Sequence, residues 1–252
     1  MSGACVDGAV PRGTHRRYAL AVNAAPLLLL DCALDPAGSW GDFGPWLGHR
    51  AVQTLHAPHA EALPGRVGEV GGIVVTGSAA SVYGHAPWSA ACLDLLRDAM
   101  ARDIPILGVC YGHQLLGEAV GGRGTVVAMQ RPEVGFCEVQ MRRGDALFDA
   151  LPGRFVTYQT HGDMVLPREA LETWGTNDAC AVQAFRVRGH RAWGVQFHTE
   201  YSRETQQRLT EARRAKHPEV GVDVEAIMAE AIDTGSQARS LFGRFLEIVD
   251  GA

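Results

Sequence analysis

The 252-residue chain contains no Cys-x-x-Cys pair, no glycine-rich phosphate-binding loop, no dinucleotide fingerprint, no internal repeat and no heptad or low-complexity tract. These absences argue against a zinc ribbon or redox dithiol, a nucleotide-driven enzyme, a solenoid and a coiled coil. Its six cysteines, at positions 5, 32, 92, 110, 137 and 180, are widely scattered. Such a pattern suits a cytoplasmic, reducing setting better than a disulfide framework, and it calls for no metal or other cofactor. Charge of one sign is not in excess either. The net charge is −5, with acids and bases interspersed, so neither nucleic acid nor a membrane is expected as a partner.

Long hydrophobic runs are missing too. The stretch from Tyr18 to Leu30, preceded by Arg16 and Arg17, imitates the start of a secretory signal. However, Asn23 and Pro26 interrupt it, and it is too short to span a bilayer as a helix. Leu27 to Asp31 therefore reads as the first buried strand. Residues 1–25 read as an N-terminal extension, and residues 26–252 as one α/β domain whose 46% hydrophobic content suffices for a sizeable core.

What the chain does contain is Ile-Leu-Gly-Val-Cys-Tyr-Gly-His-Gln at residues 106–114. The run Ile104 to Val109 predicts a strand, and the spacing of Leu115, Leu116, Ala119 and Val120 predicts a helix after it, so Cys110 falls at the junction. Gly108 and Gly112 flank the cysteine, as a sharp turn that projects one nucleophilic side chain requires. A helix starting there offers free N–H groups and partial positive charge, which favour thiolate. A buried, inert thiol is the bland alternative. The odds shift with Ala-Trp-Gly-Val-Gln-Phe-His-Thr-Glu at residues 192–200, a second strand ending in an imidazole and a carboxylate. By the period of two, Gln196, His198 and Glu200 share one face, giving nucleophile, base and orienting acid in Cys110, His198 and Glu200.

These two segments, with Val-Val-Thr-Gly-Ser before them and Thr-His-Gly-Asp between them, resemble the class I (triad) glutamine amidotransferases, especially stand-alone relatives of the guanosine monophosphate synthetase glutaminase domain. The likeness spans about residues 27 to 202. It implies a flavodoxin-like, doubly wound, mostly parallel sheet with helices on both faces. It also implies an oxyanion hole from the amides of Ser78 and Tyr111, and glutamine contacts from Gln114, Thr160, Gly162 and Asp163. The implied reaction is hydrolysis of the γ-carboxamide of glutamine through a thioester, with ammonia passed to an acceptor synthetase on another chain. Related stand-alone proteins imply a second reading, a γ-glutamyl peptidase acting on γ-glutamyl conjugates; a noncatalytic regulatory module is a third. Thr199, where many members carry proline, and Thr-Gly-Ser-Ala at residues 76–79, where Gly-Gly-Pro is common, depart from the pattern without removing a reacting group.

Elsewhere the pattern predicts strands at Ala51 to His56 and Gly72 to Thr76, and helices near Phe43 to His49 and from Trp88 to Arg102. Val126 to Met141 reads as a pair of antiparallel strands around Arg131 to Gly135. Phe155 to Tyr158 reads as a strand leading into a loop at residues 159–163, and Cys180 to Arg186 and Arg191 to Phe197 as strands joined at residues 187–190. Helices are expected at 203–215, 222–233 and 237–249, the last packed through Leu241, Phe242 and Phe245. Trp40 and Trp46 either line a pocket or pack their own loop. His56 and His59 lack a third ligand in sequence and read as loop residues. His161 competes with His198 for the role of base, and its place within the Thr-His-Gly-Asp segment favours His198.

Overall fold

Leu27–Asp31 is buried along its whole length and forms strand β1 at the heart of the sheet. Leu28 and Leu30 face one core cluster while Leu27 and Leu29 face another, as alternation along a strand covered on both sides demands. The computed structural model describes residues 25–48 and 50–251. The proposed N-terminal extension, Cys5 and the arginines preceding the apolar run thus lie outside the described residues.

Eight further strands follow: β2 (Val52–His56), β3 (Gly72–Val75), β4 (Ile106–Val109), β5 (Val126–Met141), β6 (Arg154–Val165), β7 (Leu171–Thr176), β8 (Ala184–Val187) and β9 (Ala192–Val195). They form a nine-stranded sheet in the order β2-β1-β3-β4-β9-β8-β7-β5-β6. The first five neighbours pair in parallel. Their order is that of flavodoxin-like folds, in which ligands lie beyond the carboxyl ends of the strands. The remaining pairings are antiparallel.

The helices are α1 (Trp40–Phe43), α2 (Pro87–Ala101), α3 (Tyr111–Gly121), α4 (Arg203–Lys216), α5 (Val224–Ala229) and α6 (Gly235–Val249). Residues of α2 and α3, including Leu95, Leu96, Leu115 and Leu116, cover one face of the sheet. Leu241, Phe242 and Phe245 of α6 cover the other, together with Phe43 and Leu47. No helix among the described residues is long and apolar enough to cross a membrane.

Several expectations need correction. Val126 to Met141 is a single strand, and its antiparallel partner is β6; the Arg131-Pro132 signal marks a break in register between Ala128 and Glu133 rather than a hairpin. Residues 159–163 belong to β6 and are not a loop. Strand β9 stops at Val195, so the run to Glu200 is not extended throughout. The early helix begins at Trp40 and gives way to a 3-10 turn at Gly44–Trp46, ahead of His49, which lies outside the described residues. Strand β7 is an element that the sequence pattern does not announce.

Candidate active site

The C-terminal ends of β4 and β9 lie side by side, with Val109 paired to Val195. Cys110 leaves β4 with its amide donating to the Val195 carbonyl at 2.8 Å, while its own carbonyl accepts the Gln114 amide at 3.0 Å and so opens α3. Between these two bonds the chain turns sharply, and Cys110 adopts φ 53 and ψ −101, a strained backbone for a residue with a side chain. The glycines are there because nothing larger fits. A Cβ at Gly108 would come to 2.5 Å from the Gly112 carbonyl, and one at Gly112 would overlap the Val75 carbonyl oxygen.

Beyond β9 the chain is held by β6 rather than by its own strand. The His198 amide donates to the Tyr158 carbonyl at 2.9 Å, and Thr157 Oγ1 donates to the His198 carbonyl at 2.8 Å. The Glu200 carboxylate then bends back, placing Oε1 2.6 Å from His198 Nδ1 and accepting the Thr199 amide on Oε2 at 2.9 Å. A proline at 199 would have no N–H to give. Trp46 completes this end by donating to the Glu200 carbonyl at 3.0 Å, so it anchors the segment rather than lining the cleft. Its neighbour Trp40 opens α1.

Cys110, His198 and Glu200 are all buried, at 6%, 1% and 3% exposure, with Cys110 and His198 on the wall of one cleft. Gly77 marks their convergence, because a Cβ built there would lie 3.4 Å from His198 Cε1 and 3.7 Å from Cys110 Cβ. Burial opposes protonation of His198, but the charges of Glu200 and Cys110 outweigh it and push the imidazole up to about 10. The ring is therefore held as an imidazolium at neutral pH.

The other sequence-derived positions fall around the same cleft. Ser78 lies in the loop after β3 and lines the cleft beside Gly77. Tyr111 occupies the first position of α3, where its N–H has no intrahelical acceptor. Its side chain points away, donating to Ser89 Oγ at 2.9 Å and packing on Trp88. Gln114, Thr160, Gly162 and Asp163 all line the cleft. Gln114 Nε2 donates to the Asp163 carbonyl at 3.2 Å and to Gln196 Oε1 at 3.1 Å, and Tyr83 donates to Asp163 Oδ1 at 2.7 Å. Gly135 and Phe136 of β5 pack, the glycine against Ile227 and the ring against Tyr158.

His161 also lines the cleft, but its two ring nitrogens are engaged by Glu133 and Asp163. Its Nε2 lies 3.1 Å from Glu133 Oε2, and its Nδ1–H donates to the Asp163 carbonyl at 2.9 Å. Glu133 also accepts from Asn177 and Gln183; burial opposes its ionisation, but His161, with the bonds from Asn177 and Cys137, holds its carboxyl below the ordinary range. This network braces the cleft wall, and sequence offers no signal for it because its members come from β5, β6 and the loop between β7 and β8.

His56 and His59 fasten the loop after β1. His56 Nε2 is 2.9 Å from Asp31 Oδ2, and His59 Nε2 donates to the Leu34 carbonyl at 3.1 Å. Among the described residues no group of three or more His, Cys, Asp or Glu side chains is arranged to hold a metal ion.

A wall that sequence reasoning missed comes from α4, whose Arg208, Arg213 and Lys216 face the cleft together with Arg131 from the β5 irregularity. The Arg213 guanidinium ties this wall to β6 by donating to the Thr160 carbonyl at 2.8 Å. The cleft encloses about 920 Å³.

Comparison with known proteins gives a consistent picture. The family model for class-I glutamine amidotransferases matches residues 49–215. A glutamine-hydrolysing GMP synthase of Aeropyrum pernix is 36% identical over 151 residues, covering 57% of this chain and 27% of that protein. One subunit of the glutamine-hydrolysing GMP synthase of Methanopyrus kandleri is 36% identical over 105 residues, 41% of this chain and 55% of that polypeptide. The matched segments thus span between about a quarter and about half of these curated relatives. Among solved structures, a glutamine amidotransferase from Thermotoga maritima superimposes with a TM-score of 0.76 at 22% identity, covering 91% of this chain and 100% of that one.

Proposed function

The chain belongs to the class-I glutamine amidotransferase family, and from that membership we propose that it hydrolyses the γ-carboxamide of glutamine through a thioester on Cys110. The observation that carries the reading is the buried line from Glu200 through His198 to Cys110 at the adjoining ends of β4 and β9.

Cys110 Sγ attacks the γ-carbonyl carbon, and the proton it gives up resides on His198. As the C–N bond breaks, His198 passes that proton to the leaving nitrogen, which departs as ammonia. Water then attacks the thioester with His198 as base, releasing glutamate and restoring the thiol. Glu200 fixes the imidazole tautomer through its 2.6 Å contact with Nδ1. The amides of Ser78 and Tyr111 receive the developing oxyanion, the latter supported by the helix N-terminus. Gln114, Thr160, Gly162 and Asp163 hold the α-amino and α-carboxylate ends of the substrate. No metal or other cofactor enters this scheme. The reaction belongs to a reducing cytoplasm, in keeping with five free cysteines among the described residues. The GMP synthase names of the relatives support a synthetase as the ammonia acceptor, and the subunit naming of the Methanopyrus kandleri protein supports its lying on another chain.

A specific observation favours a second reading. A cleft of about 920 Å³ is much larger than glutamine needs, and Arg131, Arg208, Arg213 and Lys216 on its wall suit a substrate that continues beyond the scissile bond with carboxylates, as γ-glutamyl conjugates do.

The test is glutamate release from glutamine and from γ-glutamyl dipeptides in competition, for the natural chain and for Cys110→Ala. Turnover that disappears with the thiol is expected. Glutamine hydrolysis surviving in Cys110→Ala overturns the thioester reading, and a large kcat/KM preference for the dipeptides selects the γ-glutamyl peptidase. Turnover of neither substrate, with or without a synthetase, leaves a regulatory module.

A further inference from the structure

Tyr201 directly follows Glu200, and the reaction as derived gives it no task. Its ring stacks on the His198 imidazole with centroids 4.3 Å apart and planes inclined by 22°. Tyr158 braces the pair, its ring centroid 6.5 Å from that of His198 and 6.3 Å from that of Tyr201. The Tyr201 hydroxyl reaches the point where Cys110 and His198 meet, since a Cβ on Gly77 would lie 3.6 Å from it. Tyr201 lines the same cleft as both.

The imidazole needs such a neighbour. Its Nδ1 is fixed by Glu200, whereas the Cys110 sulfur, its partner on the other side, is a weak acceptor that acts on the ring's charge without a close, well-directed bond to Nε2. A flat aromatic face packed against the imidazole restrains its rotation about the Glu200 bond. We propose that Tyr201 is a positioning residue for His198, its π face holding the imidazole plane toward Cys110 and favouring the protonated ring by a cation–π contact.

The groups that face His198 are Glu200 on its own segment, Cys110 at the start of α3, Asp42 on α1, Tyr158 on β6 and Tyr201 itself. Burial, and then the neighbouring Glu200, Cys110 and Asp42 charges, push the Tyr201 phenol well above its ordinary value. It stays neutral through the working range, so its contribution to His198 does not titrate away. The proposal rests on the reading of His198 as the proton carrier.

The experiment follows the ring resonances of His198 by NMR titration of the histidine-labelled full chain, beside pH–rate profiles, for Tyr201→Phe, Tyr201→Leu and, to preserve side-chain volume, Tyr201→Met. Loss of the ring in the Leu and Met variants is expected to lower the His198 midpoint by about one pH unit and kcat about tenfold, with KM nearly unchanged. Tyr201→Phe is expected to behave as the natural chain does. An unchanged midpoint in both Leu and Met variants overturns the proposal. So does a Phe variant as impaired as Leu, which would assign the effect to the hydroxyl. The NMR readout needs no turnover, so failure of the glutaminase reading, seen in the Cys110→Ala comparison, is distinguished from failure of this one.

Discussion

Glu200 reaches back over a single residue to place its carboxylate 2.6 Å from Nδ1 of His198, while its second oxygen is committed to the Thr199 amide. The carboxylate therefore has no freedom to serve as an independent base, and its effect on chemistry must pass through the imidazole. Removing its charge without its shape isolates that effect.

For Glu200→Gln we expect kcat to fall by about 10²- to 10⁴-fold, the range carried by a positioned acid–base group. The alkaline limb of the pH–rate profile should also move down, because the Glu200 charge is a main reason His198 holds its proton. A pH–rate profile with an unshifted limb would show that the carboxylate serves packing alone.

The backbone of Cys110 makes a separate prediction. With φ 53 and ψ −101, this position suits a residue without a Cβ. Cys110→Gly should therefore be more stable than Cys110→Ala by about 1 kcal/mol, while both lack turnover. Urea midpoints of the two variants decide it, and an alanine variant as stable as the glycine one would mean the turn stores no strain.

Legibility from sequence divides along physical lines. The elbow is readable because its demands are local: Gly108 and Gly112 are forced by backbone approach within a few residues of Cys110. Strand β1 is readable because five buried residues in a row leave little choice. Strand β5 misleads because Pro132 carries a turn signal, yet it sits in the register break between Ala128 and Glu133, where the ladder asks for no N–H. The Gln159 to Asp163 stretch imitates a loop because its polar residues look solvated, whereas Gln159 and His161 are buried against Gln183 and Glu133. The Tyr201 stack and the basic wall of α4 are long-range relations, and no spacing rule announces them.

Two buried histidines give the protein opposite responses to pH. His113 sits under the elbow with its ring against Phe185, and burial drives it down from its ordinary 6.5 to about 3. His198 is driven up from the same ordinary value to about 10. Between pH 3 and 6.5 the unfolded chain binds a proton at His113 that the folded chain refuses, so stability falls as the pH drops. Above pH 6.5 the folded chain keeps a proton at His198 that the unfolded imidazole has lost, but the unfolded Cys110 thiol holds a matching proton until about pH 8.5, so stability falls with rising pH chiefly from there to about 10. Stability should therefore be greatest between about pH 6.5 and about pH 8.5, with each limb approaching a slope of about 1.4 kcal/mol per pH unit where one group dominates. His113→Leu is expected to flatten the acid limb and His198→Gln the alkaline one, each leaving the other in place. Urea unfolding from about pH 4 to about pH 10 measures both. A His113→Leu protein that retains the full acid limb would assign that limb to carboxylates such as Asp31, whose pairing with His56 and the loop amides already holds it low.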